Sequence, residues 1–443
     1  MGLSDEGARI RVFMLGWEFP PFISGGLGTA CYGLTKALDQ LGVKVTFVLP
    51  KMVDSQYATH VRLLTPQARK RPSSRRITPA EEELANVKFR SIVSPLEAYA
   101  TPKAYDEKVA EILRLRREKA TVADGVGDAG GKADYAGDLY QEVHRYASIA
   151  MDLARGEEFD VVHAHDWMTY PAGIGVAMAS GKPLVVHIHS TEFDRSGEHV
   201  NQMVYDIERE GMQRAAKVIA VSHFTRSVVI SRYGIPGDKV DVVYNGVERN
   251  GTWSTAPVTI RREEKIVLFL GRITMQKGPE YFLQAAKKVL EVMDNVKFVM
   301  AGSGDLMYRS IELAAQLGIG HKVLFTGFLR GDDVRRIFRM ADLYVMPSVS
   351  EPFGIAPLEA LDNDVPVIIS KQSGVSEVLK HALKVDFWDI NEMANKIAAV
   401  LKYPSLRMTL RNHGNFEVRK LRWRDAARSC LRVYQETLAP ATV

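Results

Sequence analysis

Ser350-Glu351-Pro352-Phe353-Gly354-Ile355-Ala356-Pro357-Leu358-Glu359 places two carboxylates on either side of a turn of small residues that runs into an apolar helix. Such a turn can offer backbone N–H groups to a phosphate, with one carboxylate working on each side. A solvated surface turn accounts for two glutamates. It does not account for the Gly271-Arg272 and Lys277-Gly278 pairs, or for two His-x-His pairs upstream.

Working outward, Ile266 to Leu270 reads as a buried strand, Gly271-Arg272-Ile273-Thr274 as the loop after it, Pro279 to Met293 as a helix and Val296 to Met300 as the next strand. The same order opens the chain: strand Ile10 to Gly16, the glycine loop Ser24-Gly25-Gly26-Leu27-Gly28, helix Thr29 to Gln40, strand Val43 to Leu49. Each opening is that of a parallel α/β domain, so the pattern predicts two similar Rossmann-like domains. Between them, the short apolar runs ending at His163, His187, Ser222 and Tyr244 read as strands with polar ends. Carboxyl ends of parallel strands form the ligand crevice and are expected to point towards the second domain. Later strands are predicted at Lys322 to Thr326, Leu343 to Met346 and Val365 to Ile369, and a linker at Asn245 to Ala256. Residues 66–79 and 121–138 read as loops around a helical 107–119. The expected domains are 1–247 and 248–422, followed by a terminal amphipathic helix over 423–443.

Arg272 and Lys277 bracket one loop, and a guanidinium fork with an ammonium point charge makes a sound diphosphate clamp. Ala301-Gly302-Ser303-Gly304-Asp305 again sets glycines after a strand, allowing a nucleotide to come close. Glu359 is placed to accept hydrogen bonds from two ribose hydroxyls and Glu351 to face a reacting sugar, with helix capping as the competing reading. Gly25, Gly26 and Leu27 open a helix that can receive an anion, although a plain tight turn explains them too. The loop is not GxGxxG and carries Pro20-Pro21, so it does not point to a nicotinamide or flavin site. His163-Ala164-His165-Asp166-Trp167 and His187-Ile188-His189 follow strands. Their imidazoles read as hydrogen-bonding groups at the crevice, as structural histidines, or as chelators of a metal; no complete metal-ligand set is discernible and none is expected.

With 46% hydrophobic and 25% charged residues, the composition is that of a soluble globular protein. A net charge of +5 is too weak an excess to argue for nucleic acid. Cys31 and Cys430 are the only cysteines, which excludes a disulfide framework and any CxxC site. No apolar stretch is long enough to span a bilayer, and the polar start lacks a signal core, so the expected compartment is the cytoplasm.

At these residues the chain resembles the retaining GT-B glycosyltransferases that include bacterial and archaeal glycogen or starch synthases. The signatures are Gly25-Gly26-Leu27, His163-Ala164-His165-Asp166-Trp167, Asn245-Gly246-Val247, Gly271-Arg272 with Lys277-Gly278, and Glu351-x7-Glu359 containing Pro352-Phe353-Gly354. The resemblance implies two Rossmann-like domains across a cleft, 1–247 on the acceptor side and 248–422 binding a nucleotide-diphospho-sugar donor as substrate, a terminal helix 423–443 crossing back to the first, a carbohydrate acceptor, and no cofactor or bound metal. It assigns His165 to the donor sugar's hydroxymethyl end, Arg272 and Lys277 to the diphosphate, Glu351 to the sugar and Glu359 to the ribose, with Asp166, Asn245, Gly302, Phe353, Gly354, Ile355 and Ala356 lining the substrate. It further implies front-face transfer with retention, in which the departing diphosphate takes the acceptor proton. The leading expectation is an α-1,4-glucan synthase; the main alternative is transfer of a hexose to a small molecule, sugar phosphate, lipid or surface glycan, and the minor ones are a non-catalytic nucleotide-sugar-binding protein and a nucleotide-sugar 2-epimerase. One departure bears on this choice: glucan synthases carry Lys-x-Gly-Gly-Leu, whereas this chain has Ile23-Ser24-Gly25-Gly26-Leu27.

Overall fold

The apolar run Val12-Phe13-Met14-Leu15 is buried throughout β1 (Arg11–Leu15), as expected of a strand covered on both faces of a parallel sheet. The computed structural model describes residues 10–19, 26–49, 139–247 and 264–439, and the backbone alone of 63–64 and 87–91. The predicted loops at 66–79 and 121–138, the helical 107–119, Gly25 and most of the linker lie outside the described residues.

β1 pairs in parallel with β2 (Lys44–Leu49) and with β5 (Val161–His165). Adding β3 (Leu63–Leu64), β4 (Val87–Ser91), β6 (Leu184–Ile188), β7 (Lys217–Ala220) and β8 (Val240–Val242), the sheet runs β3-β4-β2-β1-β5-β6-β7-β8. A second sheet contains β9 (Lys265–Leu270), β10 (Val296–Ala301), β11 (Val323–Gly327), β12 (Leu343–Met346), β13 (Val367–Ser370) and β14 (Leu383–Val385), in the order β11-β10-β9-β12-β13-β14. Its pairings are parallel. In each sheet the strand order reverses at the first strand, the topological switch point at which doubly wound folds bind ligands. Two Rossmann-like parallel-sheet units are therefore present, the GT-B architecture that the resemblance implies.

Residues up to His187, Ile207–Val218 and Cys430 onward form one unit, and Ile188–Asp206 with Ile219–Ser429 form the other. In the second unit the period of two along β9 splits the core into two layers. Val267 and Phe269 join Phe282 and Leu283 of the Pro279–Leu290 helix with Phe298 and Met300. Leu268 faces the opposite way, towards Tyr344, Met346, Leu358 and Ile369.

The first helix begins at Gly26 rather than Thr29, because the Glu18 carboxylate accepts the Gly28 N–H at 3.0 Å and extends the ordered turn backwards. The helix after β9 ends at Leu290, and β13 starts at Val367, two residues later than the apolar run suggests. Val365 instead bonds back to the Ala360 carbonyl and closes the preceding helix. No described helix is long and apolar enough to cross a membrane.

Candidate active site

In the second unit, residues from the ends of β9 and β12 meet. The Lys277 ammonium donates to Glu351 Oε2 at 2.5 Å, and Ser348 Oγ donates to the same oxygen at 3.2 Å. Backbone bonds hold Glu351 on both sides: its N–H donates to Gln372 O, and its carbonyl accepts from Gly374 N. The buried carboxylate is therefore fixed in position. Lys277 reaches it because Gly278 takes φ 65 and brings the chain against the Pro347 carbonyl, where a Cβ would overlap that oxygen. Arg272 donates to Gln276 Oε1 at 3.1 Å, which keeps its guanidinium over the same short turn, Met275–Lys277.

The glycines after β10 let two loops approach each other closely. Gly302, at φ 146, lies so close to the Gly271 carbonyl that a Cβ would fall inside it. Gly271 N, Ile273 N and Leu306 N bond across the two loops. Gly302 thus seats the Arg272 loop by backbone contact.

Phe353 is buried in the core, its ring 5.9 Å from that of Tyr244, so the side chain supports the loop from behind. Gly354, Ile355 and Ala356 are half-buried, and Ala356 begins the Ala356–Asp362 helix. Glu359, in its first turn, is partly buried, and that burial pushes its carboxyl up to about 7 against the opposing pull of Arg335. Asn245 is buried, and the following Val247 N–H bonds to Leu421 O, joining this motif to the start of the terminal helix.

The first unit holds the other predicted residues. His165 ends β5, fully buried, and Asp166 follows with φ 57, a backbone state that side-chain-bearing residues adopt only under constraint. Asp166 N donates to His187 O at 3.0 Å, and Thr169 Oγ1 donates to His165 O at 2.8 Å. Gly26 is exposed and Leu27 buried. At this helix start the Gly28 N–H is taken by the chain's own Glu18 carboxylate.

His187 stands in register with His165, and His163 lies two residues along the same strand, so three imidazoles share one sheet face. Their donor atoms all lie within 4.8 Å of one another, close enough to consider a metal ion. The rings are stacked, with the planes of His163 and His187 within 6°, and stacked planes send their in-plane lone pairs side by side rather than to one point. Tyr434 OH lies 2.6 Å from His163 Nδ1 and ties the terminal helix to this face. In the second unit, burial pushes His189 down to about 3, which keeps it neutral.

Residues 254–415 match the family described as glycosyl transferases group 1, and residues 131–250 match glycosyltransferase family 4. A glycosyltransferase of Methanocaldococcus jannaschii is 35% identical over 297 residues, covering 63% of this chain and 76% of the relative. The chain belongs to the GT-B glycosyltransferases. The glycogen synthase of Mycobacterium tuberculosis is 24% identical to this glycosyltransferase over 377 residues, covering 84% of the chain and 80% of the relative. Among solved structures, HepE from Anabaena, in complex with UDP and glucose, shares the fold with a TM-score of 0.67 at 16% identity, covering 97% of this chain and 100% of that one.

Among the residues that brace the glycosyltransferase's Glu351 loop, the sequence marks Ser222 and Tyr244 only as polar strand ends and does not single out Thr225, Glu377 or Asp194. Ser222 Oγ and Thr225 Oγ1 both donate to Pro352 O, at 2.5 and 3.2 Å. Glu377 accepts from His223 N, Phe224 N and Tyr244 OH, linking that helix start to the ring behind Phe353. Asp194 Oδ1 accepts from Ser350 Oγ at 2.5 Å. The local signal at Ser222 is a serine ending an apolar strand before a helix, an N-cap pattern. Nothing local pairs it with Pro352.

Proposed function

We propose that this enzyme transfers a hexose from a nucleotide-diphospho-sugar, with retention, to an acceptor other than an α-1,4-glucan: a small molecule, sugar phosphate, lipid or surface glycan. The observation that carries the donor half is the Lys277–Glu351 pair, which brings together residues 74 positions apart at the strand ends of one unit. In the proposed complex, Arg272 and Lys277 stabilise the charge that gathers on the departing diphosphate, and Glu351 holds Lys277 and contacts the sugar. Glu359 accepts from the ribose, while backbone groups of Gly354, Ile355 and Ala356 face the phosphates. His165 is assigned to the donor sugar, and Asp166, Gly26 and Leu27 to the acceptor. Front-face proton transfer from acceptor to diphosphate needs no second carboxylate. That suits a Glu351 already engaged with an ammonium and not acting as half of a hydrolase pair.

The non-glucan acceptor is supported by Ile23-Ser24, which stand where glucan synthases carry their lysine motif, and by the modest 24% identity to glycogen synthase. Glucan elongation is the second reading, favoured by the 84% of the chain over which that relative aligns. An initial-rate screen with ADP-, UDP- and GDP-linked glucose and mannose tests both, using sugar phosphates, glycerol-type acceptors and malto-oligosaccharides and following nucleotide release and product anomer by NMR. An α-linked product on a small acceptor is expected. Elongated oligosaccharide moves the assignment to glucan synthase, and an inverted product refutes retention.

A further inference from the structure

The Glu192–Ser196 helix is only five residues long, yet its own side chains hold it firmly. Thr191 caps it in a reciprocal box with Asp194. Glu192 pairs with Arg195 at 3.1 Å and accepts from Ser196 Oγ and Asn201 N, and Arg195 also donates to Ser190 O. The Asp194 carboxylate is buried. Oδ2 accepts from Thr191 N and Oγ1, each at 2.7 Å, and Oδ1 accepts from Ser350 Oγ at 2.5 Å. Ser350 immediately precedes Glu351, and the same helix packs against the Met275–Lys277 turn. One element therefore touches both arms of the Lys277–Glu351 pair, and a charge-assisted hydrogen bond from Ser350 to Asp194 links it to the carboxylate arm.

We propose that Asp194 is a positioning residue for glycosyl transfer: through Ser350 it sets the placement of Glu351, and with it the Lys277 ammonium, at the reacting sugar. The inference rests on the transfer reading given above. Asp194 touches no substrate in this scheme, so its loss acts on the turnover step and leaves the binding surface in place. An asparagine at 194 can keep the tether with its polarity reversed, its amide oxygen accepting from Thr191 and its N–H donating to Ser350 Oγ.

The test compares full-length wild type with Asp194→Ala, Ser350→Ala, the double variant and Asp194→Asn, on the donor and acceptor that turn over in the screen. Removing a hydrogen bond to a buried carboxylate predicts a loss of about 10-fold or more in kcat for each alanine variant, with donor KM changed by less than about 2-fold. The double variant is expected to be no slower than Asp194→Ala, and Asp194→Asn to recover most of the rate. Unchanged kcat in Ser350→Ala overturns the proposal, and so does a double variant slowed by the product of the two single losses or a change confined to KM. Ser350→Ala keeps the test decisive if Asp194→Ala does not fold. A wild type without turnover refutes the transfer reading and the proposal together, whereas an active wild type with unaffected variants refutes the proposal alone.

Discussion

Glu359 offers a quantitative test because burial raises its carboxyl from the usual 4.5 to about 7. That displacement corresponds to about 3 kcal/mol between the two protonation states. A carboxyl raised in the folded state contributes stability that is complete below pH 4.5 and is lost as pH climbs through 7. Glu359→Gln removes the titration while keeping the shape. The gap in unfolding free energy between variant and wild type should therefore widen, in the variant's favour, by about 2 kcal/mol from pH 5.5 to 8. If the ionised carboxylate also accepts from the ribose, only the ionised fraction binds well. That fraction is about one tenth at pH 6 and nine tenths at pH 8, so nucleotide affinity of the wild type should fall about 9-fold between pH 8 and 6 relative to Glu359→Gln. Calorimetric titration with the donor's nucleoside diphosphate at both pH values measures this, and the ratio to the variant cancels titration of the nucleotide's own phosphate. Parallel binding curves with a widening stability gap would refute the ribose role. Parallel curves in both assays would refute the raised carboxyl itself.

If Lys277 holds the departing diphosphate as proposed, Lys277→Ala, which also deletes the ion pair with Glu351, should drop kcat/KM for the donor by about 10²–10³; a steady-state loss below tenfold argues against the clamp. Gly278→Ala forces a Cβ into the Pro347 carbonyl at φ 65, which should cost about 1–3 kcal/mol, read as a shifted urea midpoint. An unshifted midpoint would mean that the turn relaxes freely. Tyr434→Phe deletes the 2.6 Å contact with His163 Nδ1 and should destabilise the first unit by about 1–2 kcal/mol. Hydrogen exchange along the terminal helix is the readout, and unchanged protection counts against the tie.

What could be read directly was whatever depends on near neighbours in the chain. Continuous apolar runs at β1 and β9, each followed by a glycine-bearing turn and an amphipathic helix, specify buried parallel strands through their local pattern of burial and turn chemistry. Two repeats of that order implied two Rossmann-like units, and the spacing of Glu351 and Glu359 was legible because both flank one turn. Tertiary structure alone decided how these pieces are used. Lys277 and Glu351 are clamped to each other across 74 positions, Ser350 to Asp194 across 156, and Pro352 to Ser222 across 130. Gly28 meets the chain's own Glu18, Gly302 meets Gly271 O, and Phe353 turns into the core. No local propensity encodes such pairs, because a side chain's partner is set by which strand ends the sheet order brings together, and that order is a property of the whole packed unit.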